Sequence, residues 1–143
     1  MALQGEMILR VWDVEHGACT MLHHQLSGMA GRLAMIDSGD TADWSPSTFI
    51  KHQLDRCQLD YLFITNADQD HMSDLQGLWD EGIKVKTLIR NPHPSAYELR
   101  KIKEVGGLSK DIERFLHIHS TYTQPVSEPF NDCMGGITRK VFY

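Results

Sequence analysis

The 143-residue chain has no apolar run approaching the roughly 18 residues that a membrane-spanning helix needs, so no such helix and no membrane partner are expected. Its first residues, Met1 to Glu6, lack a basic region followed by an apolar stretch, so no secretory leader is predicted and a cytoplasmic location is expected. Cysteine is scarce. Cys19, Cys57 and Cys133 form no C-x-x-C pair, and an odd number cannot close completely into disulfides, so reduced, buried thiols are predicted. There is no internal repeat, no low-complexity stretch, no Gly-rich phosphate loop, no Gly-x-Gly-x-x-Gly and no serine nucleophile elbow. These absences leave out the common nucleotide-binding and serine-hydrolase motifs.

What remains has the composition of an ordinary globular domain, with 41% apolar and 23% charged residues. A disordered tail, a collagen-like fibre and a coiled coil are excluded. The net charge is −5, unevenly spread. Residues 1–71 carry 4 Lys and Arg against 10 Asp and Glu, whereas residues 72–143 carry 10 against 9. An acidic first half argues against a duplex-DNA surface there, because phosphates would be repelled. Clustered carboxylates are also what a divalent-cation site requires, although a solvated acidic face is the plainer explanation.

The pattern predicts short strands alternating with helices, an α/β layered fold. Strands are predicted at Met7–Val14 and Ala18–His23, joined by a turn at Glu15-His16-Gly17, and at Arg32–Ile36, which Asp37-Ser38-Gly39-Asp40 stops. Ser45-Pro46 reads as a helix start, with Phe49, Ile50, Leu54 and Cys57 on one face. Leu59–Thr65 contains the continuous apolar run Tyr61-Leu62-Phe63-Ile64, the mark of a strand buried on both sides. After the polar run Asn66-Ala67-Asp68-Gln69-Asp70-His71 comes a short helix with Leu75, Leu78 and Trp79 on one side, ending near Gly82. Ile83–Ile89 is the next predicted strand. Ser95 and Glu98 form a capping box for a helix to about Val105, and Ser109 caps another carrying Ile112, Phe115 and Leu116. Residues 120–136 read as loop. Ile137–Tyr143 reads as a final strand, apolar to its end, which is expected either to be cut inside an element or to await a partner.

The chemistry is expected where carboxylates gather beyond strand ends, since open α/β sheets collect ligands there. Asp68, Asp70 and His71 crowd into four positions after the buried strand, and Asp37 stands at the corresponding end of another. Such groups repel one another unless a cation sits between them.

The run Asn66-Ala67-Asp68-Gln69-Asp70-His71 resembles the His-x-His-x-Asp-His signature of the metallo-β-lactamase fold. It is closer still to the His-x-Asp-x-Asp-His form in relatives of the competence protein ComEC. Two further stretches agree. Trp12-Asp13-Val14-Glu15-His16-Gly17-Ala18 is similar to the Asp-Val-x-x-Gly hairpin that opens such domains, and Met35-Ile36-Asp37-Ser38-Gly39 to their Ile-Asp-Ser/Thr-Gly motif. The resemblance covers roughly residues 7–90 of a domain spanning 1–143. It implies the N-terminal half of an αββα layered sandwich and a metal-dependent hydrolase, of phosphodiesterase or nuclease type. Asn66 and Asp68 would stand at a first metal, Asp70 and His71 at a second, Asp70 would also orient the attacking water, and Asp37 would support the ligands from behind. The ions expected are Zn2+ or Mn2+, one or two. Asn66 replaces the family's leading histidine, and its uncharged amide oxygen favours oxygen-seeking ions such as manganese. The family's remaining ligands come from a second half, so the resemblance implies a missing C-terminal segment or a partner chain, with a homo-oligomer as an alternative. A non-catalytic member kept as an interaction module is the rival expectation, and a merely well-capped turn of a generic α/β protein the third.

Other residues carry less. His117 and His119 would share a face only if extended, and a helix end is the favoured reading. Asp132 and Cys133 rank lower as ligands. His16 is read as a turn histidine, and His23 and His24 as exposed at a strand end. Trp12, Trp44 and Trp79 are read as core or rim. Arg100, Lys101, Lys103, Lys110 and Arg114 form a basic cluster, by default a solvated face and more sharply a phosphate-contacting rim for a nucleotide or nucleic acid substrate.

Overall fold

In the computed structural model, which describes residues 5–123 and 130–142, one five-stranded sheet runs through the molecule in the order β1-β2-β3-β4-β5. Strands β1 (Glu6–Trp12), β2 (Cys19–Gln25) and β3 (Leu33–Ile36) pair antiparallel, while β4 (Gln58–Ile64) and β5 (Lys84–Arg90) continue in parallel. The chain is therefore a mixed α/β protein. The parallel strands require crossover connections, and these supply the first helices, while the rest follow β5.

The first crossover begins with Ser45, whose hydroxyl accepts from Thr48 N, and with Pro46 at the first position of α1 (Pro46–Thr48). The helix widens at once into π-type turns over Phe49–Gln53 and ends before Asp55, which adopts φ 51°. Ile50 is buried, but Cys57 lies beyond the helix and is exposed, so the predicted four-residue apolar face is cut short. Helix α2 (Leu75–Asp80) buries Leu75 and Leu78. Trp79 does not join them. It is 60% exposed, with the Arg114 guanidinium 4.0 Å above its ring. Helix α3 (Ala96–Glu104) opens on the full capping box of Ser95 and Glu98, and α4 (Lys110–Thr121) on Ser109.

Helices α1 to α4 contribute to a core on one side of the sheet. Ile50, Leu75, Leu78, Leu99, Ile112, Phe115 and Leu116 pack with Met21, Leu33, Met35, Leu62, Ile64 and Leu88. The stacked rings of Trp12 and Trp44, 4.7 Å apart with Phe49 edge-on, close its rim. The other face carries a smaller cluster, Ala34, Tyr61 and Ile89 beneath Phe130 and Met134. Strand β4 is thus covered on both faces, as its continuous apolar run predicts. It also buries Asp60, a placement that its local sequence does not signal. Its carboxylate accepts from Leu33 N, Arg32, Arg56 and Gln58 and ties the bases of β3 and β4 together.

Three expectations fail here, and the cover on that second face accounts for α5, for the path of residues 137–142 and for the burial of His24. Residues 120–136 are not all loop. Helix α4 runs to Thr121, and α5 (Phe130–Cys133) forms because Phe130 packs edge-on against Tyr61 and Phe63; residues 124–129 lie outside the described part. Residues 137–142 form no strand, and Tyr143 is likewise outside the description. Instead of pairing at a sheet edge they cross the face, with Arg139 stacked over Phe63 and Phe130. His24 is fully buried and His23 nearly so. A side chain at Gly5 would collide with the His24 ring at 2.8 Å, so the glycine makes room for it, and His24 Nδ1 bonds the Cys133 carbonyl at 3.2 Å.

Candidate functional site

The three stretches singled out from the sequence converge at the C-terminal ends of β3 and β4. The segment after β4 leaves the sheet extended through Asp68 and then makes a single 3-10 turn at Gln69–His71. Its backbone is bonded on both sides. Ser38 N donates to the His71 carbonyl, Asp74 N to the Ser38 carbonyl, and Gly39 N to the Ala18 carbonyl of the opening hairpin, each at 2.9 Å. The approach is so close that only glycine serves. A Cβ on Gly17, at φ 92°, would stand 1.9 Å from the Asp70 carbonyl oxygen, and one on Gly39 would stand 2.9 Å from the same atom.

Asp37 is the centre of the arrangement. It is 2% exposed and adopts φ 58°, a left-handed conformation that costs a non-glycine residue energy unless its surroundings enforce it. They do. Asp37 N donates to the Phe63 carbonyl at 2.8 Å. Its carboxylate accepts from Thr65 N at 2.7 Å, from the Thr65 hydroxyl at 2.5 Å and from His71 Nδ1 at 2.9 Å. Facing a carboxylate, Nδ1 is the ring nitrogen that donates, which leaves Nε2 outside that contact. Beside it Ser38 Oγ is buried without a hydrogen-bond partner.

The other predicted ligands are not drawn to His71. Asp68 is exposed, and both its oxygens are engaged: Lys103 Nζ lies 2.7 Å from Oδ1, and the Asn66 amide donates to Oδ2 at 2.9 Å. The hydrogen bond and charge of Lys103, with lesser help from Asn66, hold the Asp68 carboxyl below its ordinary range. These residues border a cavity of about 320 Å3 that Arg90, Asn91, His93 and Pro94 also line. Asp70 faces a different, open cleft with His16 and Asp40. Among the described residues no three His, Cys, Asp or Glu side chains are grouped to hold one metal ion. The turn therefore separates the predicted ligands: Asn66 and Asp68 border one cavity, Asp70 lines another cleft, and His71 is turned onto Asp37 and Thr65.

The supports of this turn were less visible in the sequence. Asp111, in the first turn of α4, accepts from Gln69 and from Gln76 N, and Ser109 donates to Gln69. Asp74 accepts from Ser47 N at 2.7 Å and from its hydroxyl at 3.0 Å, joining α1 to α2; burial pushes its carboxyl up to about 6. A Cβ on Gly77 would strike Asp74 Oδ1 at 1.9 Å, so that glycine belongs to the same fitting. Spacing alone relates none of the hydrogen-bonded pairs, which are 27 to 42 residues apart.

The remaining candidates separate. His117 is exposed on α4 while His119 is buried, accepting from Arg90 Nε and donating to the Pro94 carbonyl, so the two rings point apart as a helix requires. Asp132 is exposed on α5. Three members of the basic cluster have partners of their own: Arg114 is stacked on Trp79, Lys101 lies over Tyr97, and Lys103 is paired with Asp68. Of the thiols only Cys19 is buried, which raises it to about 12; Cys57 is exposed. No helix among the described residues is long and apolar enough to cross a membrane.

Compared with known proteins, the chain matches no family model, no curated protein and no solved structure.

Proposed function

We propose that this chain carries the first half of a metal-dependent hydrolase site of the metallo-β-lactamase kind, phosphodiesters being the substrate class, with the Asn66–His71 turn as its cation-holding element. The observation that carries the proposal is the chain of contacts from Thr65 through Asp37 to His71 Nδ1. Metal-binding histidines are commonly fixed in this way, the far nitrogen on a carboxylate and the near one left as a ligand. The left-handed Asp37 and the orphaned Ser38 hydroxyl beside it favour the same reading, because strain and unpaired buried groups concentrate at working sites.

The donors fit Zn2+ or Mn2+ in kind: an imidazole nitrogen, two carboxylates and the Asn66 amide oxygen, which weights the choice toward Mn2+. In this chain they are not gathered around one ion, so further ligands would come from a C-terminal half or a partner chain. Leu9 and Val11, 61% and 71% exposed, favour a further layer on the sheet, as the family's second half would supply. When bound, the ion would supply Lewis acidity and lower the pKa of water so that hydroxide is available near neutral pH. Asp70 would orient water in the cleft that it lines, and Asp37 would hold the His71 ring through Nδ1. The test is hydrolysis of bis(p-nitrophenyl) phosphate in the presence of Mn2+. Turnover that requires the ion and disappears in Asp70→Ala is expected, and equal rates in the two proteins would refute it.

The second reading, a non-catalytic scaffold acting as an interaction subunit, is favoured by one specific contact: Lys103 already supplies Asp68 with a positive charge. It requires a stable assembly, so a monomer of 16.3 kDa by light scattering would remove it.

A further inference from the structure

A separate cavity lies between α2, the start of β5 and α4, and none of the residues from Asn66 to His71 lines it. Its volume is about 510 Å3, within the roughly 300 to 1,000 Å3 of sites that take small molecules. The floor is apolar: Leu78 and Ile83 are buried beneath it, and Ile118 closes it from α4. Trp79 stands in the wall, with most of its indole left open to solvent. Tyr122 lines it too, but its hydroxyl is spent on the Val85 carbonyl.

The charge around this cavity has one sign. Lys84 and Arg114 line it, with His117 beside them, and no Asp or Glu does. Arg114 is held from two directions: Nε donates to Gln76 Oε1 at 3.1 Å, and the guanidinium carbon lies 4.0 Å from the centre of the Trp79 ring. Neither partner is an anion. Of the guanidinium donors only Nε–H has a hydrogen-bond partner among the described residues, so the remaining N–H groups are left for another acceptor. Asp80 and Asp111, on the same two helices, take their hydrogen bonds from Gln76 and Gln69 instead.

We propose that this cavity binds a small aromatic carboxylate, its rings on the apolar floor beside Trp79 and its carboxylate on Arg114 and Lys84. Burial of the rings supplies the affinity, and the indole favours a flat partner. The paired N–H groups of a pre-positioned guanidinium fix the orientation of the carboxylate.

The test is titration of the full chain with 2-naphthoate and with its neutral counterpart, 2-naphthalenemethanol. Binding is followed in 1H–15N spectra through the indole N–H of Trp79, which Trp79→Phe identifies. The expected result is a saturable shift of that signal with Trp12 and Trp44 unmoved, and about fivefold tighter binding of the carboxylate than of the alcohol, the worth of a partly exposed charge-assisted contact. Arg114→Met should remove that preference while changing the affinity for the alcohol less than twofold, and Arg114→Lys should restore part of it. Equal affinity of the wild type for the two probes, or a preference unaltered in both Arg114→Met and Lys84→Met, would overturn the anion assignment. No shift at Trp79 up to the solubility limit of either probe would overturn the site. So would a Trp79 signal that moves with protein concentration alone, which would make this face a contact between copies of the chain.

Discussion

Asp37→Asn is the perturbation that separates geometry from charge at the site. Asparagine has nearly the same shape and tolerates the left-handed backbone at φ 58°, so the turn should keep its path. The carboxylate, however, accepts three hydrogen bonds: from Thr65 N, from the Thr65 hydroxyl and from His71 Nδ1. A carboxamide has a single acceptor oxygen. If that oxygen stays on Thr65 N, the NH2 group faces the hydroxyl and the imidazole. The hydroxyl rotates and accepts. The imidazole must move its proton to Nε2, so that Nδ1 becomes the acceptor. Losing one buried charge-assisted bond costs about 2 kcal/mol, which at a urea dependence of about 2 kcal/mol/M lowers the unfolding midpoint by about 1 M. Long-range 1H–15N spectra at mildly alkaline pH should show His71 as the Nδ1–H tautomer in the wild type and the Nε2–H tautomer in the variant. With the Nε2 lone pair lost, metal affinity should fall about 10- to 100-fold. An unchanged tautomer together with an unchanged midpoint would refute this assignment of Asp37.

Three further outcomes follow from the same contacts. Gly17→Ala forces a Cβ onto the Asp70 carbonyl at a positive φ and should lose at least about 2 kcal/mol of stability in urea, whereas Gly28→Ala, with open space around it, should lose less. Burial holds Asp74 at about 6 in the fold against about 3.9 in the unfolded chain, so the folded state binds more protons between those values. Its contribution is therefore fully present below pH 4 and lost as pH rises through 6, a change of about 3 kcal/mol that Asp74→Asn should remove when unfolding is compared at pH 4 and pH 7. A thiol reagent should label exposed Cys57 rapidly in the native protein and Cys19 only on unfolding; simultaneous labelling would contradict the burial of Cys19.

Much of the α/β frame was readable because its signals are local. The apolar run of β4, the Ser45-Pro46 start and the Ser95/Glu98 box each act within a few residues, and the structure has them where expected. What failed depended on distant partners. His24 is buried because Gly5, Gly135 and the Cys133 carbonyl close around it, and Trp79 is exposed, with Arg114 stacked on its ring. The site divides the same way. Carboxylates beyond strand ends are visible in the sequence, and so is the convergence of the three stretches. The turning of Lys103 onto Asp68, 35 residues away, is not, because a helical lysine at the surface has the same local signature whether it meets water or a carboxylate.

The claim beneath all of this is that the turn after β4 holds a cation on His71 and its neighbouring carboxylates. Elemental analysis of the chain after loading with Mn2+ or Zn2+ and removal of free metal tests it most directly, with His71→Ala and Asp70→Ala alongside. The expected result is at least one ion retained per wild-type chain and a clear loss in both variants. Equal metal content in all three proteins, or none in any, would contradict it.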